Sequence, residues 1–384
     1  MKVGIVYDTL KKGLGGHGTH LAFRGLPGVE VAALADSNTE NPEARMKTVR
    51  AERFYPSWRK MFDKESPDIV AVCSRLPEEH FAVIRAAAEK GCHVFCEKPL
   101  CSTLREADEI CRLAEENHVR IAVAHLARHA LVFRTMKRLI HEGAIGRPLT
   151  FYGRGKEDHR GGGEDMLVLG THILDLGVFL FGPPENVSAE VFQNGRPIVC
   201  SDRMPTSEPL EPVAGTDLFA SFRFPGEVRG IFESRRGLFR NQVRMGVTVA
   251  GTEGCLSVRY DSERNLRRSR SPYPPEDEAA YEIVPLREDR EIPGAEPPDG
   301  SLWPGDAASY FMNNNRFAAW DLMQAIQENR EPAANAKDAR TGMEMMTGIY
   351  QSHLDGKRID FPLKDRENPL SRSAREPDSV RNND

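Results

Sequence analysis

No stretch of this 384-residue chain approaches the roughly 20 consecutive apolar residues that cross a bilayer. No membrane partner is expected. The opening MKVGIVYDTLKKG has a short apolar run and no small-residue cleavage site, so it does not read as a secretory signal. Neither sign of charge dominates. The formal net charge is −5, which argues against nucleic acid or another polyanion as the main partner. The seven cysteines lack a paired C-x-x-C, although Cys92, Cys96 and Cys101 cluster. Their odd number gives no disulfide framework, which suits a reducing, cytoplasmic compartment, and no metal is expected there. There is no internal repeat.

What is present is an alternation. KVGIVY, VEVAALAD, DIVAVCS, HVFCEKP and RIAVAHL read as five buried strands. Between them, THLAFRGL, WRKMF, EEHFAVIRAAAEKG and LREADEICRLAEENH read as helices. Strand and helix in turn predict a parallel sheet with right-handed crossovers, whose ligands lie beyond the strands' C-terminal ends. After the first strand, Gly13, Gly15 and Gly18 fit G-x-G-x-x-G, a pattern that lets backbone approach a pyrophosphate. Its first glycine is displaced from the strand by Tyr7–Lys12. Gly16 and His17 belong to the same predicted cofactor loop. The second strand ends in Asp36, roughly 20 residues after Gly13, where an acid binds an adenosine ribose diol. A carboxylate there repels a 2′-phosphate, and Ser37 and Asn38 follow instead of arginine. NAD is therefore expected, with NADP disfavoured.

After the fourth strand comes Glu97-Lys98-Pro99. This order, with "EKGCHVFCEKPL", resembles the glucose–fructose oxidoreductase / inositol dehydrogenase / rhizopine-catabolism (Gfo/Idh/MocA) family. So do "GAIGRPLTFYGRG", "GTHILDLGVFLFG" with its G-x-H-x-x-D, "GTEGCLSV", and "DLMQAIQENREPAANAKDARTGMEMMTGIYQS". The resemblance covers roughly residues 1–360. It implies an α/β protein with an N-terminal Rossmann domain (1–125). A C-terminal α/β domain (126–360) would follow, with a large, mostly antiparallel open sheet often used for homo-oligomer contacts. Substrates in that family are sugars, polyols and related carbonyl compounds, and the nicotinamide lies between the domains. The E-K-P lysine, here Lys98, would touch substrate and cofactor beside Glu97. His172 would transfer a proton. Ser74 and His80, in "SRLPEEH", would stand near the cofactor.

The chemistry of these residues supports such roles. A partly desolvated ammonium at Lys98, beside a cationic nicotinamide, has a lowered pKa and can stabilise an alkoxide. An imidazole at His172 can accept a hydroxyl proton. Asp175 follows three residues later on the same helix face. The structural alternatives are a salt-bridged lysine and a helix-packing histidine. The family often has an aspartate four residues before the histidine, but Val168 stands here. The loop "GKEDHRGGGEDM" is dense in ionisable groups and offers His159, Glu164 and Asp165 as substrate ligands, with Arg128 and Asp175. The same loop is also readable as a solvated segment. A metal site of His159, Glu164, Asp165 and His172 is an alternative that no compact motif such as H-E-x-x-H supports, and no metal is expected.

From Thr150, LTFYGRG, NVSAEVF, DLFASFRF, VRGIFES, VRMGVTVAG and CLSVRY read as strands, several with period-two alternation. Residues 261–308 are an irregular excursion able to reach a substrate cleft, with Trp303 as a possible stacking surface. Asn313 to Arg316 either bind polar substrate or start a helix. Residues 361–384 form a polar tail that is flexible or hugs a partner. The leading expectation is an NAD-dependent oxidoreductase acting on CH–OH groups of a sugar or polyol. The alternatives are a redox-neutral epimerase, glycosidase or lyase with tightly held NAD, and a non-catalytic nicotinamide or sugar sensor.

Overall fold

The apolar runs without polar alternation become the strands of one parallel sheet. They are seen in a computed structural model describing residues 1–10, 17–208, 212–238, 245–260, 263–275, 278–287, 290–302 and 306–371. The sheet holds β1 (Lys2–Val6), β2 (Glu30–Ala35), β3 (Arg53–Tyr55), β4 (Ile69–Val72), β5 (His93–Cys96) and β6 (Ile121–Val123). Their order is β3-β2-β1-β4-β5-β6, all pairings parallel. Strands β2 and β4 are buried along almost their whole length, as a sheet covered on both faces requires.

The crossovers are α1 (Pro42–Val49), α2 (Trp58–Lys64), α3 (Pro77–Glu89) and α4 (Leu104–Glu116). Their starts are written locally. The Ser57 side chain caps α2, Pro77 opens α3, and Thr103 with Glu106 forms a full capping box on α4. Two expectations are corrected. The edge strand β3, reached through the additional helix α1, makes the sheet six-stranded, not five-stranded. The predicted helix THLAFRGL is a single 3₁₀ turn, Thr19–Leu21, entered through Gly18 at φ 81°.

After α5 (Leu131–His141) the second domain begins. Its sheet contains β7 (Pro148–Arg154), β8 (Asn186–Gln193), β9 (Arg196–Pro197), β10 (Asp217–Arg223), β11 (Arg229–Arg235), β12 (Gly246–Gly251), β13 (Cys255–Arg259), β14 (Leu266–Ser269), β15 (Glu282–Ile283) and β16 (Ile359–Asp360). The order is β15-β14-β13-β12-β7-β11-β10-β8-β16, with β9 attached to β8. Pairings are antiparallel except β7 with β11. Burial alternates along β10 and β11, so one face is covered and the other open.

A continuous helical run covers the inner face: α6 (Gly163–Asp165), a π turn (Met166–Gly170) and α7 (Thr171–Phe181). It lies so close that a Cβ on Gly153 of β7 would sit 2.4 Å from Ile173. Helix α9 (Ala336–Asp355) packs between α4 of the first domain and β8 of the second.

The chain does not stay in the second domain. Ala318, Ala319, Leu322 and Met323 of α8 (Asp306–Gln327) join the core around Val3, Ile5 and Leu34 of the first sheet. Among the described residues of the expected excursion, β14 and β15 extend the second sheet. Glu296 and Asp299 then reach the turn after Thr19–Leu21 and the end of α1, where Arg24 meets Asp299 and Arg50 meets Glu296. Trp303 lies outside the described residues. Leu363 and Leu370 of the tail are buried, and Arg366 pairs with Asp108 of α4 at 2.5 Å.

Helix α8 thus supplies core to a sheet that is distant in sequence. Leu322→Ala is expected to destabilise the protein by about 2–5 kcal/mol, measured by urea unfolding. Tyr273→Ala, at a side chain 77% exposed, should change stability by no more than about 0.5 kcal/mol.

Candidate active site

The C-terminal ends of the parallel strands deliver the expected residues to one edge of the first sheet. At the end of β2 the Asp36 carboxylate is buried. It accepts hydrogen bonds from Thr9 N (3.0 Å), Thr9 Oγ1 (2.6 Å) and Asn38 N (2.9 Å), and Arg45 Nε lies 2.8 Å away. Ser37 donates to Asp8 at 2.7 Å. Gly13, Gly15 and Gly16 lie outside the described residues. His17, which follows them, places Nδ1 2.9 Å from Glu97 Oε1 and stacks on Phe311 of α8. Asn315 of α8 donates to the His17 carbonyl at 2.7 Å.

Glu97 and Lys98 follow β5 directly and are both buried. Burial alone would raise the Glu97 carboxyl, but His17 and Lys98 outweigh it and hold the group low. Its second oxygen, Oε2, has no hydrogen-bond partner among the described residues. Lys98 Nζ donates to the Val168 carbonyl at 2.9 Å. Burial lowers the Lys98 pKa, and Arg75 and Arg160 push the same way against Glu97 and Glu208. An ammonium has three donors, and one is engaged among the described residues. The unpaired Glu97 oxygen and these remaining donors fit a polar cofactor and substrate at this edge.

Val168 explains itself here. It lies in the π turn, whose wider winding departs from the α-helical ladder. The position expected to carry an aspartate supplies a main-chain oxygen to Lys98 instead.

His172 lies one residue into α7 and keeps a partly exposed face. Burial pushes it well below the usual histidine value, and Lys98, His125 and His17 add to the effect. His125, just past β6, meets His172 edge to face, with ring centroids 6.0 Å apart. Its Nδ1 is 3.2 Å from Asp175 Oδ1.

Asp175 and Arg128 were expected to bind substrate. They are instead buried and bonded to each other, with Arg128 Nε 2.9 Å from Asp175 Oδ2. Arg128 also reaches Asp338 at 2.6 Å and the Ala333 carbonyl at 3.0 Å. Burial alone would raise the Asp175 carboxyl, but Arg128 and His125 outweigh it and hold the group far below the ordinary carboxylate range. This pair ties β6, α7 and α9 together and orients His125.

His80 differs in the same way. Its Nε2 lies 2.7 Å from the Ser74 carbonyl and its Nδ1 2.9 Å from the Pro99 carbonyl. The ring therefore fastens the loop after β4 to the loop after β5. Ser74 donates to Glu79 at 2.9 Å and accepts from Leu76 N, shaping the start of α3.

The acidic loop is largely inward. Glu164 accepts from Ser207 N at 2.7 Å and from the Ser207 hydroxyl. Asp165 is fully buried and accepts from Glu157 N (3.0 Å) and Ser234 Oγ (2.5 Å), and burial raises its pKa. His159 points outward, its side chain 75 % exposed. These three do not gather around His172. Sequence reasoning passed over His125, although the rule that ligands follow strand ends would have marked it.

Comparison with known proteins agrees with this architecture. Residues 12–125 match the family described as "Oxidoreductase family, NAD-binding Rossmann fold". Residues 133–257 match the "GFO/IDH/MocA C-terminal domain". Together the two regions make up more than half of the chain. D-apiose dehydrogenase of Paraburkholderia graminis is 24% identical over 372 residues, covering 92% of this chain and 88% of that protein. Levoglucosan dehydrogenase of Pseudarthrobacter phenanthrenivorans is 27% identical over 255 residues, 59% of this chain and 65% of that one. A solved levoglucosan dehydrogenase in complex with NADH and levoglucosan shares the fold. Its TM-score is 0.74 at 21% identity, over 94% of this chain and 100% of that one. With both of its domains matched and the E-K-P and G-x-H-x-x-D residues facing one another across their seam, the chain belongs to the Gfo/Idh/MocA family of oxidoreductases.

Proposed function

We propose that this protein is an NAD-dependent dehydrogenase that oxidises a secondary hydroxyl of a sugar, polyol or derivative. The observation carrying this reading is the placement of a charge-disfavoured lysine and a charge-disfavoured histidine on opposite sides of the domain seam. Relatives that act on apiose and levoglucosan support the substrate class.

NAD held at the edge formed by His17, Asp36 and Glu97 would supply the hydride acceptor for the carbinol carbon. The protein's own part concerns the proton and the charge. His172, neutral because its cationic form is disfavoured, takes the hydroxyl proton. Lys98 exchanges or shares its Val168 carbonyl contact with the substrate oxygen and stabilises negative charge as it develops there. His125, fixed by Asp175, sets the wall against which the His172 ring rests. Glu97 balances Lys98 and, with Asp36 and His17, borders the cofactor.

The Asp36 carboxylate supports NAD over NADP, since its charge opposes a 2′-phosphate. Arg45 partly neutralises it, so the preference is moderate in size. The second sheet's open face, with Tyr152 and Phe219 each 39% exposed, is the surface for contact with another copy. Seven unpaired cysteines suit a reducing compartment. Among the described residues no helix is long and apolar enough to cross a membrane. The loop acids that would favour a redox-neutral reading hold internal bonds, which favours simple oxidation.

Purified protein given NAD and a panel of sugars and polyols should form NADH, followed by absorbance. Lys98→Met should lower turnover by about 10²–10⁴-fold while the far-ultraviolet circular dichroism stays unchanged. Unaltered turnover in that variant removes Lys98 from the chemistry.

The pH profile has a defined sign. Oxidation needs neutral His172, whose pKa lies below 6.5, so the acidic limb of kcat/KM should fall below pH 6.5. It also needs the Lys98 ammonium, whose pKa lies below 10.5, so the alkaline limb should begin below pH 10.5. His172→Asn should erase the acidic limb.

A further inference from the structure

A second group of charges stands beside Lys98 and takes no part in the chemistry above. Arg75 follows the end of β4 in the first domain, and Arg160 precedes α6 in the second. Both meet Glu208. Arg75 Nη2 lies 2.6 Å from Glu208 Oε2, and Arg160 Nη1 lies 3.3 Å from Oε1. The three side chains are 15, 14 and 12% exposed. Asp158 grips the far side of Arg160, at 3.1 Å from Nε and 2.7 Å from Nη2, which leaves the Nη1 corner for Glu208. The neighbouring Ser207 is pinned to Glu164 through both its N–H and its hydroxyl. All three groups are near enough to Lys98 to bias its charge.

Two arginines from two domains converging on one carboxylate at a substrate seam form a carboxylate receptor. A neutral sugar offers such a fork hydrogen bonds but no opposite charge. With the Glu208 carboxylate turned aside, Arg75 and Arg160 lose the acceptor they share across the two domains, and a ligand carboxylate has the geometry to replace it. Glu208 then has the character of an internal stand-in, bridging the guanidiniums until the ligand arrives.

We propose that the substrate is an anionic sugar, an aldonate or uronate, whose carboxylate replaces that of Glu208 between Arg75 and Arg160. This rests on the dehydrogenase reading for the reaction, but the binding site it names is testable without turnover.

The test is calorimetric binding of D-glucuronate, D-gluconate, D-glucose and glucose 6-phosphate to the full chain with NAD present, alongside NADH formation. The two carboxylates should bind at least tenfold more tightly than glucose. Arg75→Met and Arg160→Met should each remove at least tenfold of that preference, through KM on the acids more than through kcat. Glu208→Gln keeps the shape and removes the competing charge, so it should tighten acid binding several-fold. Weaker acid binding in Glu208→Gln would overturn the proposal and make the triad a clamp. So would equal binding of glucose and its acids, or tighter binding of the phosphate. Carboxylate binding without NADH formation would uphold this site while refuting the dehydrogenase reading for these acids.

Discussion

The structure depends on keeping one ammonium group out of water. Lys98 sits at the end of a buried parallel strand, where solvation no longer holds its charge, and its contact with the Val168 carbonyl is the local compensation. A cation so placed is easily recruited by a new oxygen, because any acceptor brought to it replaces solvent it lacks. The same burial that makes it reactive would be destabilising without neighbours of opposite sign. Glu97 and Glu208 supply them; the His17 ring contacts Glu97, and Arg75 with Arg160 holds Glu208.

The fold is arranged to make that burial possible. The first domain provides the strand that presents Lys98, and the second provides the helical run whose π turn offers the carbonyl. His172 follows that turn by two residues, so one irregularity positions both the lysine's anchor and its proton partner. The seam is then locked by pairs with opposite ends in different elements. Arg128 and Asp175 join β6 to α7, Asp338 brings in α9, and α8 completes the core of the first sheet. The site is a property of the two-domain arrangement rather than of either half.

Much of this was legible in the sequence because it is local. Uniform apolar runs named the buried strands, and the strand-end rule placed Asp36, Glu97 and Lys98 together before any coordinates. What escaped was non-local or carried by the backbone. The edge strand β3 is three residues long, and α1 lacks a strong apolar stripe, so neither carries a periodic signal. The pairing of Arg75 with Glu208 spans 133 residues, and that of Arg128 with Asp175 joins two domains, so no spacing rule reports them. Val168 looked like a gap because its side chain was considered; its carbonyl is what the site uses. His80, Arg128 and Asp175 carry the right chemistry for ligand contact, yet burial gives them structural partners instead.

The central claim is that Lys98 and His172 act as one unit on a single substrate oxygen. A double-mutant cycle on the single-turnover rate of NADH formation, with Lys98→Met, His172→Ala and the pair, tests it most directly. If they act together, the double variant loses little more than the worse single variant. Losses that multiply would mean that the two residues work independently, and the account would be wrong.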